Sequence, residues 1–204
     1  MKYQRLIQWA FLALFLILMV AGRIQIWMAV FFVSLIGALF FSRFYCGWIC
    51  PINTIMEKQG RWFRQQKKIR RPVPVWAKHP TLRYGILLIF LGLMVAALRF
   101  GLKLPVLPAL TILGVLFSLF FVPEFWHRYL CPYGALQQIP AKLARKKWQV
   151  HSEDCISCGL CIKVCPAEAV TIPVKSGPAV ISTKDCLDCT ACARVCPQKC
   201  IQYR

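Results

Sequence analysis

Two stretches decide the reading of this chain: Cys155-Ile156-Ser157-Cys158-Gly159-Leu160-Cys161-Ile162-Lys163-Val164-Cys165-Pro166 and Cys186-Leu187-Asp188-Cys189-Thr190-Ala191-Cys192-Ala193-Arg194-Val195-Cys196-Pro197. In each, four cysteines stand two, two and three residues apart before a proline, and every cysteine of the second follows its counterpart by 31 residues. A zinc hook takes two pairs of ligands, not such a ladder. Three thiolates from one tight loop cap three corners of an iron–sulfur cube, whereas the fourth, just before proline, reaches a neighbouring cube. The spacing assigns Cys155, Cys158, Cys161 and Cys196 to one 4Fe–4S cluster, and Cys186, Cys189, Cys192 and Cys165 to a second. The constant offset marks an internal duplication. Cys200 stands where the first repeat has Ala169, and reads as a small buried residue, not a ninth ligand.

Residues 149–204 resemble the two-cluster bacterial ferredoxins, which implies a small α+β domain. The preceding 148 residues are different in kind. The chain as a whole is 58% hydrophobic, above the average for a soluble domain. Residues 149–204 carry six basic and five acidic side chains, residues 1–148 twenty and two. A basic excess can serve nucleic acid, but these charges lie between long apolar runs, so the partner expected is a lipid bilayer and not nucleic acid. Eight thiols that bind iron must stay reduced, which points to the cytoplasmic side of a membrane.

Four apolar runs are expected to span, at about residues 6–22, 24–42, 84–98 and 106–123, paired as two repeated hairpins. The first runs almost directly into the second without a small-residue cleavage site, so it reads as a retained helix and not a signal peptide. With both termini inside, the inner segments hold 17 Lys and Arg, and the outer turns hold three (Arg23, Arg99 and Lys103). That asymmetry orients the chain as a multi-pass protein of a prokaryotic cytoplasmic membrane, with the ferredoxin-like domain and both termini in the cytoplasm. The outer turns are too short to hold a domain. Within the basic loop 58–83, Lys58–Arg71 reads either as an amphipathic surface helix or as a solvated loop. Pro72, Pro74 and Pro80 mark an extended approach to the third span, and residues 140–150 a basic linker.

A second cysteine pattern closes each hairpin. Phe44-Tyr45-Cys46-Gly47-Trp48-Ile49-Cys50-Pro51 and Phe125-Trp126-His127-Arg128-Tyr129-Leu130-Cys131-Pro132 align at an offset of 81, which sets Cys50 against Cys131, Trp48 against Tyr129 and Cys46 against His127. Each proline is expected to end or kink its helix, and Cys46 and Cys50, four apart, to share one helical face. Cys46, Cys50, His127 and Cys131 form a candidate redox or metal site at the membrane interface, for a third cluster, a metal ion or a cycling dithiol. The plainer alternative is small buried cysteines within an aromatic belt.

Four spans, a C-x3-C-P motif, its counterpart and a two-cluster ferredoxin domain together resemble the NapH/MauN/NosR-type membrane ferredoxins over nearly the whole chain. The resemblance implies electron delivery between the quinone pool or a cytoplasmic donor and a respiratory or other redox partner enzyme. It differs in having His127 where the family carries a cysteine, and it lacks the extracytoplasmic domains of NosR-like relatives, so the NapH/MauN branch is the nearer. Three functions follow: a single-electron relay, as part of a quinol dehydrogenase with Glu57 or Glu124 taking protons; a maturation factor reducing a metalloenzyme through Cys46 and Cys50; or a passive anchor for a separate reductase. No catalytic residue is assigned. There is no C-x-x-C-H haem motif, and His79 and His151 are poorly placed for a haem pair. Reporter fusions check the topology: Gly101 is expected outside, and Lys67 and the residue after Arg204 inside, whereas an external C-terminal fusion overturns the charge argument.

Overall fold

The computed structural model describes residues 2–66, 69–100, 106–174 and 177–204. The fusion sites at Lys67 and Gly101, the outer-turn Lys103 and the approach to the fourth apolar run lie outside them. Helix α1 (Lys2–Val20) is closed by Gly22 in the left-handed region (φ 67°), where the Arg23 N–H returns to the Leu18 carbonyl at 2.9 Å. After α2 (Gln25–Phe41) come a short helix α3 (Phe44–Trp48) and α4 (Pro51–Gln65). An extended segment and a 3₁₀ turn (Val75–Lys78) lead to α5 (Pro80–Arg99), capped by His79, whose side chain accepts from the Thr81 N–H. Helix α6 (Val106–Phe120), a π-helical turn (Phe125–Leu130) and α7 (Pro132–Ala141) complete the helical half.

Among the described residues, one helix, α1 (Tyr3–Val20), is long and apolar enough to cross a membrane; α2, Thr81–Ala97 and α6 are apolar but shorter. The four carry outward-facing apolar side chains, among them Ile17, Val33, Ile36, Leu88, Ile89 and Ile112.

The Cys-Pro motifs do more than stop helices. Proline disfavours the helical conformation at the residue before it, and Cys50 and Cys131 are extended (ψ 120° and 110°) and become N-caps. Pro51 and Pro132 then occupy the first helical turn, where no N–H is needed. This corrects two expectations. Cys46 lies in α3 and Cys50 at the head of α4, so they do not share a helical face. The helix at Lys58–Arg71 begins earlier, at Pro51, and ends at Gln65: its first turns (Ile52, Asn53, Thr54, Met56) are buried in the bundle, and its basic part from Lys58 is exposed or half-buried. The start of the linker at 140–150 likewise belongs to α7.

Helix α4 packs on α1 and α6, and α7 on α5 and α2. Each helix that follows a Cys-Pro motif thus crosses to the other repeat. Two polar braces repeat the exchange: Gln137 of α7 donates to Ser34 of α2 (2.7 Å), and Ser118 of α6 donates to Gln59 of α4. The bundle core gathers Phe15, Trp27, Phe31, Tyr45, Phe90 and Tyr133 and continues without a break into Ala167 and Leu187 of the C-terminal region.

That region pairs β1 (Trp148–Val150) with β4 (Ile201–Tyr203), Val150 opposite Ile201. Between them lie α8 (Leu160–Val164), the antiparallel pair β2 (Val170–Thr171) and β3 (Val180–Ile181), and α9 (Ala191–Val195). Ser157 and Asp188, Gly159 and Thr190, and Glu168 and Lys199 all have positive φ and are 31 residues apart, so the duplication extends to backbone shape.

Gly47 is the tightest point between the halves, because a Cβ there would lie 2.3 Å from the Leu187 carbonyl oxygen. Overpacking of this kind costs about 1–3 kcal/mol. Gly47→Ala is expected to loosen the C-terminal region, read as faster proteolysis of the Lys142–Lys147 connection; wild-type protection would show the contact to be dispensable.

Candidate iron–sulfur and thiol centres

The eight ladder cysteines line two separate cavities. Cys155, Cys158, Cys161 and Cys196 line one, and Cys165, Cys186, Cys189 and Cys192 the other. All are free thiols. The left-handed residues turn each loop inwards, and backbone N–H groups meet sulfur: Ala169 N–H donates to Cys165 Sγ (3.2 Å), and the Ala191 and Ala193 N–H groups reach Cys189 and Cys192. A wall of four thiols with inward N–H donors fits a 4Fe–4S cluster, whose potential such donors tune. Without that counter-charge burial pushes the Cys189 and Cys192 thiols up to about 12. Cys200 is buried and also lines the first cavity, its sulfur 3.4 Å from Cys196 Sγ.

The two cavities face different ways. Cys158 is exposed. The second set is held against the bundle: Trp48 Nε1 donates to the Asp188 carbonyl (3.0 Å), Gln4 Nε2 to the Cys189 carbonyl (3.3 Å), and Thr190 Oγ1 to Gln4 Oε1 (2.7 Å). Tyr129, aligned with Trp48 in the repeat, donates to Glu168 Oε2 (3.0 Å), and Arg128 to the Glu168 carbonyl. The two Cys-Pro motifs therefore grip the second cavity from both sides.

Cys46, Cys50 and Cys131 meet in the core beneath it. Burial, then Cys46 and Cys131, pushes the Cys50 thiol far above its ordinary value, and burial, then Cys46, pushes Cys131 up to about 11. Arg43, 1% exposed, sends Nη2 to Cys46 Sγ (3.7 Å) and Nη1 to the Asp185 carbonyl (3.3 Å). Arg83 Nη1 lies 3.9 Å from Asp185 Oδ1. Among the described residues, no three His, Cys, Asp or Glu side chains converge as ligands of a single metal ion. His127 lines a different space, a cavity between α4 and α9; burial, then Arg43, takes it down to about 3, and its Nε2 has no partner.

Glu57 lines the same cavity and is ion-paired to Arg61 (3.1 Å) and Arg194 (3.5 Å). Glu124 is raised by burial, with Oε2 unpartnered. Sequence reasoning missed Asp188, which accepts hydrogen bonds from Trp148 and Tyr203 and is pushed up to about 6 by burial. Its only signal was a carboxylate inside a cysteine run.

A family model described as "4Fe-4S binding domain" matches residues 24–70 and 104–151, and one described as "4Fe-4S dicluster domain" matches 147–197. The methylamine utilization ferredoxin-type protein MauN of Methylobacillus flagellatus is 29% identical over 151 residues, 68% of this chain and 53% of that protein. The ferredoxin-type protein NapH of Haemophilus influenzae is 30% identical over 154 residues, 68% of this chain and 52% of that protein. The chain belongs to the NapH/MauN-type ferredoxin proteins. The regulatory protein NosR of Pseudomonas aeruginosa is 29% identical over 146 residues, 62% of this chain and 20% of that protein. The chain spans about half the length of the curated relatives it matches first. As a NapH/MauN-type ferredoxin it is an iron–sulfur protein, and both Cys-Pro motifs fall inside the first match.

Crossed ligation is checked by substitution. Cys196→Ser is expected to damage the centre formed by Cys155, Cys158 and Cys161, and Cys165→Ser the one formed by Cys186, Cys189 and Cys192. Cys200→Ala should keep the iron but move the first centre to a more negative potential, because it removes an S–H donor from beside Cys196. About four iron atoms per wild-type chain, the content of one cube, would refute two clusters.

Proposed function

We propose that the chain is a membrane-bound relay for single electrons, in which the C-terminal region links a soluble partner to the helical bundle. The observation that carries this reading is the unequal exposure of the two thiol sets: one opens to solvent at Cys158, the other is gripped by Trp48 and Tyr129. When bound, 4Fe–4S clusters accept and release one electron at a time. Cys155, Cys158, Cys161 and Cys196 would hold the outer cluster, and Cys165, Cys186, Cys189 and Cys192 the inner one. The relatives' names, ferredoxin-type proteins of methylamine utilization among them, support electron transfer.

A bilayer around α1, α2, α5 and α6 accounts for their outward apolar side chains, which water does not tolerate as a large patch. Four crossings with cytoplasmic termini agree with the Lys and Arg asymmetry. The N-terminal ends of α1 and α5, the C-terminal end of α2 and the π-helical turn that follows α6 all lie beside the C-terminal region, through the bonds that Gln4, Arg83, Ser42 and Arg128 make to it.

The membrane-side substrate that fits is a quinol. A cleft of about 410 Å³ opens between α1, α3 and β4, walled by Phe11, Phe41, Phe44, Trp48, Trp148 and Tyr203, with Asp188 as its one carboxylate. Aromatic walls suit a quinol ring, and Asp188, between Cys186 and Cys189, is set to accept a proton as the ring is oxidised. This moves the proton acceptor from Glu57 and Glu124 to Asp188. The meeting of Cys46, Cys50 and Cys131 supports a further redox station deeper in the bundle, the element a maturation role would use; a passive anchor needs none of it.

Asp188→Asn is expected to slow reduction of the protein by a short-chain quinol by about 100-fold, the scale of a lost general base. Reduction by dithionite should not change. Bleaching of the visible absorption in a stopped-flow instrument reads both, and an unchanged quinol rate removes the cleft from the mechanism.

A further inference from the structure

The cavity that receives His127 is not absorbed by electron transfer. It has a volume of about 220 Å³ and lies between α4, the π-helical turn and α9. Arg5, Arg61, Arg64 and Arg194 line it, and Glu57 is its single carboxylate. Glu57 is already engaged, accepting from Arg61 (3.1 Å), Arg194 (3.5 Å) and Gln8 (3.1 Å). These contacts fix the guanidiniums but leave three positive charges in excess. Such a set is self-repelling, and its Coulomb cost is greatest where water is displaced by low-dielectric walls, here Met56, Val164, Pro166 and Val195. At the same place the His127 ring, only 4% exposed, lines the wall, and its Nε2, closed to solvent, has no hydrogen-bond partner among the described residues. A buried imidazole nitrogen without a partner is costly unless a ligand or water meets it.

We propose that this cavity binds a phosphate oxyanion, held by Arg61, Arg64 and Arg194 and contacted by His127 Nε2. A phosphate dianion would nearly neutralise the excess charge. Planar guanidinium forks match phosphate oxygens two at a time, and a neutral imidazole adds one hydrogen bond without further charge. Asn53 on the wall can donate another. The same chemistry is offered by the headgroup of an anionic phospholipid and by a free phosphate. The site is assigned from its own lining and does not depend on the relay or the quinol cleft.

The test uses the full chain, iron-loaded, in detergent and in nanodiscs. One arm titrates inorganic phosphate by calorimetry; the other measures retention of phosphatidylglycerol over phosphatidylcholine by native mass spectrometry. Saturable one-to-one binding is expected in at least one arm, and the arm that binds names the source. The pair Arg61→Gln with Arg64→Gln should weaken it at least about tenfold, the scale of one lost charge-assisted contact. His127→Gln should weaken it less, and Lys142→Gln, away from the lining, should leave it unchanged. Iron content and visible absorption confirm that each variant is folded. No saturable binding in either arm, or binding indifferent to both the arginine pair and His127→Gln, overturns the proposal.

Discussion

The structure depends on what proline does to the residue before it. At Cys50–Pro51 and Cys131–Pro132 the α conformation is disfavoured at the cysteine, and the chain turns and starts a new helix with a thiol at its head. The two turns are alike even in their last hydrogen bonds, Cys50 N–H to the Tyr45 carbonyl (2.8 Å) and Cys131 N–H to the Trp126 carbonyl (2.9 Å). Each new helix packs on one helix of its own hairpin and one of the other, α4 on α1 and α6 and α7 on α5 and α2, so it ties the two halves together. The thiols meet because each marks the point where its chain crosses over. A simple bend in a continuous helix would have left α4 and α7 with their own repeats and the cysteines apart.

The same crossing fixes the C-terminal region. Residues next to the two turns, Trp48 and Tyr129, are equivalent in the repeat and hold the backbone at Asp188 and the side chain of Glu168. Leu187, 2% exposed, inserts between these grips into the bundle core. Full burial of one such side chain contributes about 1.5–3 kcal/mol, which is more than a single exposed hydrogen bond supplies. Packing therefore sets how firmly the region is seated, and the hydrogen bonds set its angle. Gly47 is the condition for both, since any side chain there would lift Leu187 out.

Much of this was legible in the sequence. The 31-residue ladder gave two sets of four thiols, and the 81-residue offset paired Trp48 with Tyr129 and Cys50 with Cys131. The helices after Pro51 and Pro132 are less legible, because a proline that ends one helix can equally open the next. Ile52 and Met56 carried the buried face of α4, but the arginines and lysines from Lys58 onward masked it. His127 aligned with Cys46, yet it lines another cavity, between α4 and α9, which alignment alone does not reveal. Gln4 and Gln8 looked like interruptions of an apolar run. Their amides satisfy the Gly47 carbonyl and the Cys189 carbonyl, which spacing alone does not reveal.

Charge gives the last step. Arg43 is buried and Arg83 half-buried beside the thiols, and both hold Asp185, Arg43 by its backbone carbonyl and Arg83 by its carboxylate. Burial, then Arg43, takes Arg83 down to about 10, so it still holds its proton at neutral pH. The thiols at Cys50 and Cys131 are pushed the other way and are neutral there. Arg43 Nε, Arg83 Nε and Arg83 Nη2 lack partners among the described residues. Keeping buried guanidiniums without partners is costly. Negative charge formed among Cys46, Cys50 and Cys131 would meet donors that do not have to reorient. Both arginines also reach across to Asp185, so the same guanidiniums that face the thiols help to seat the C-terminal region.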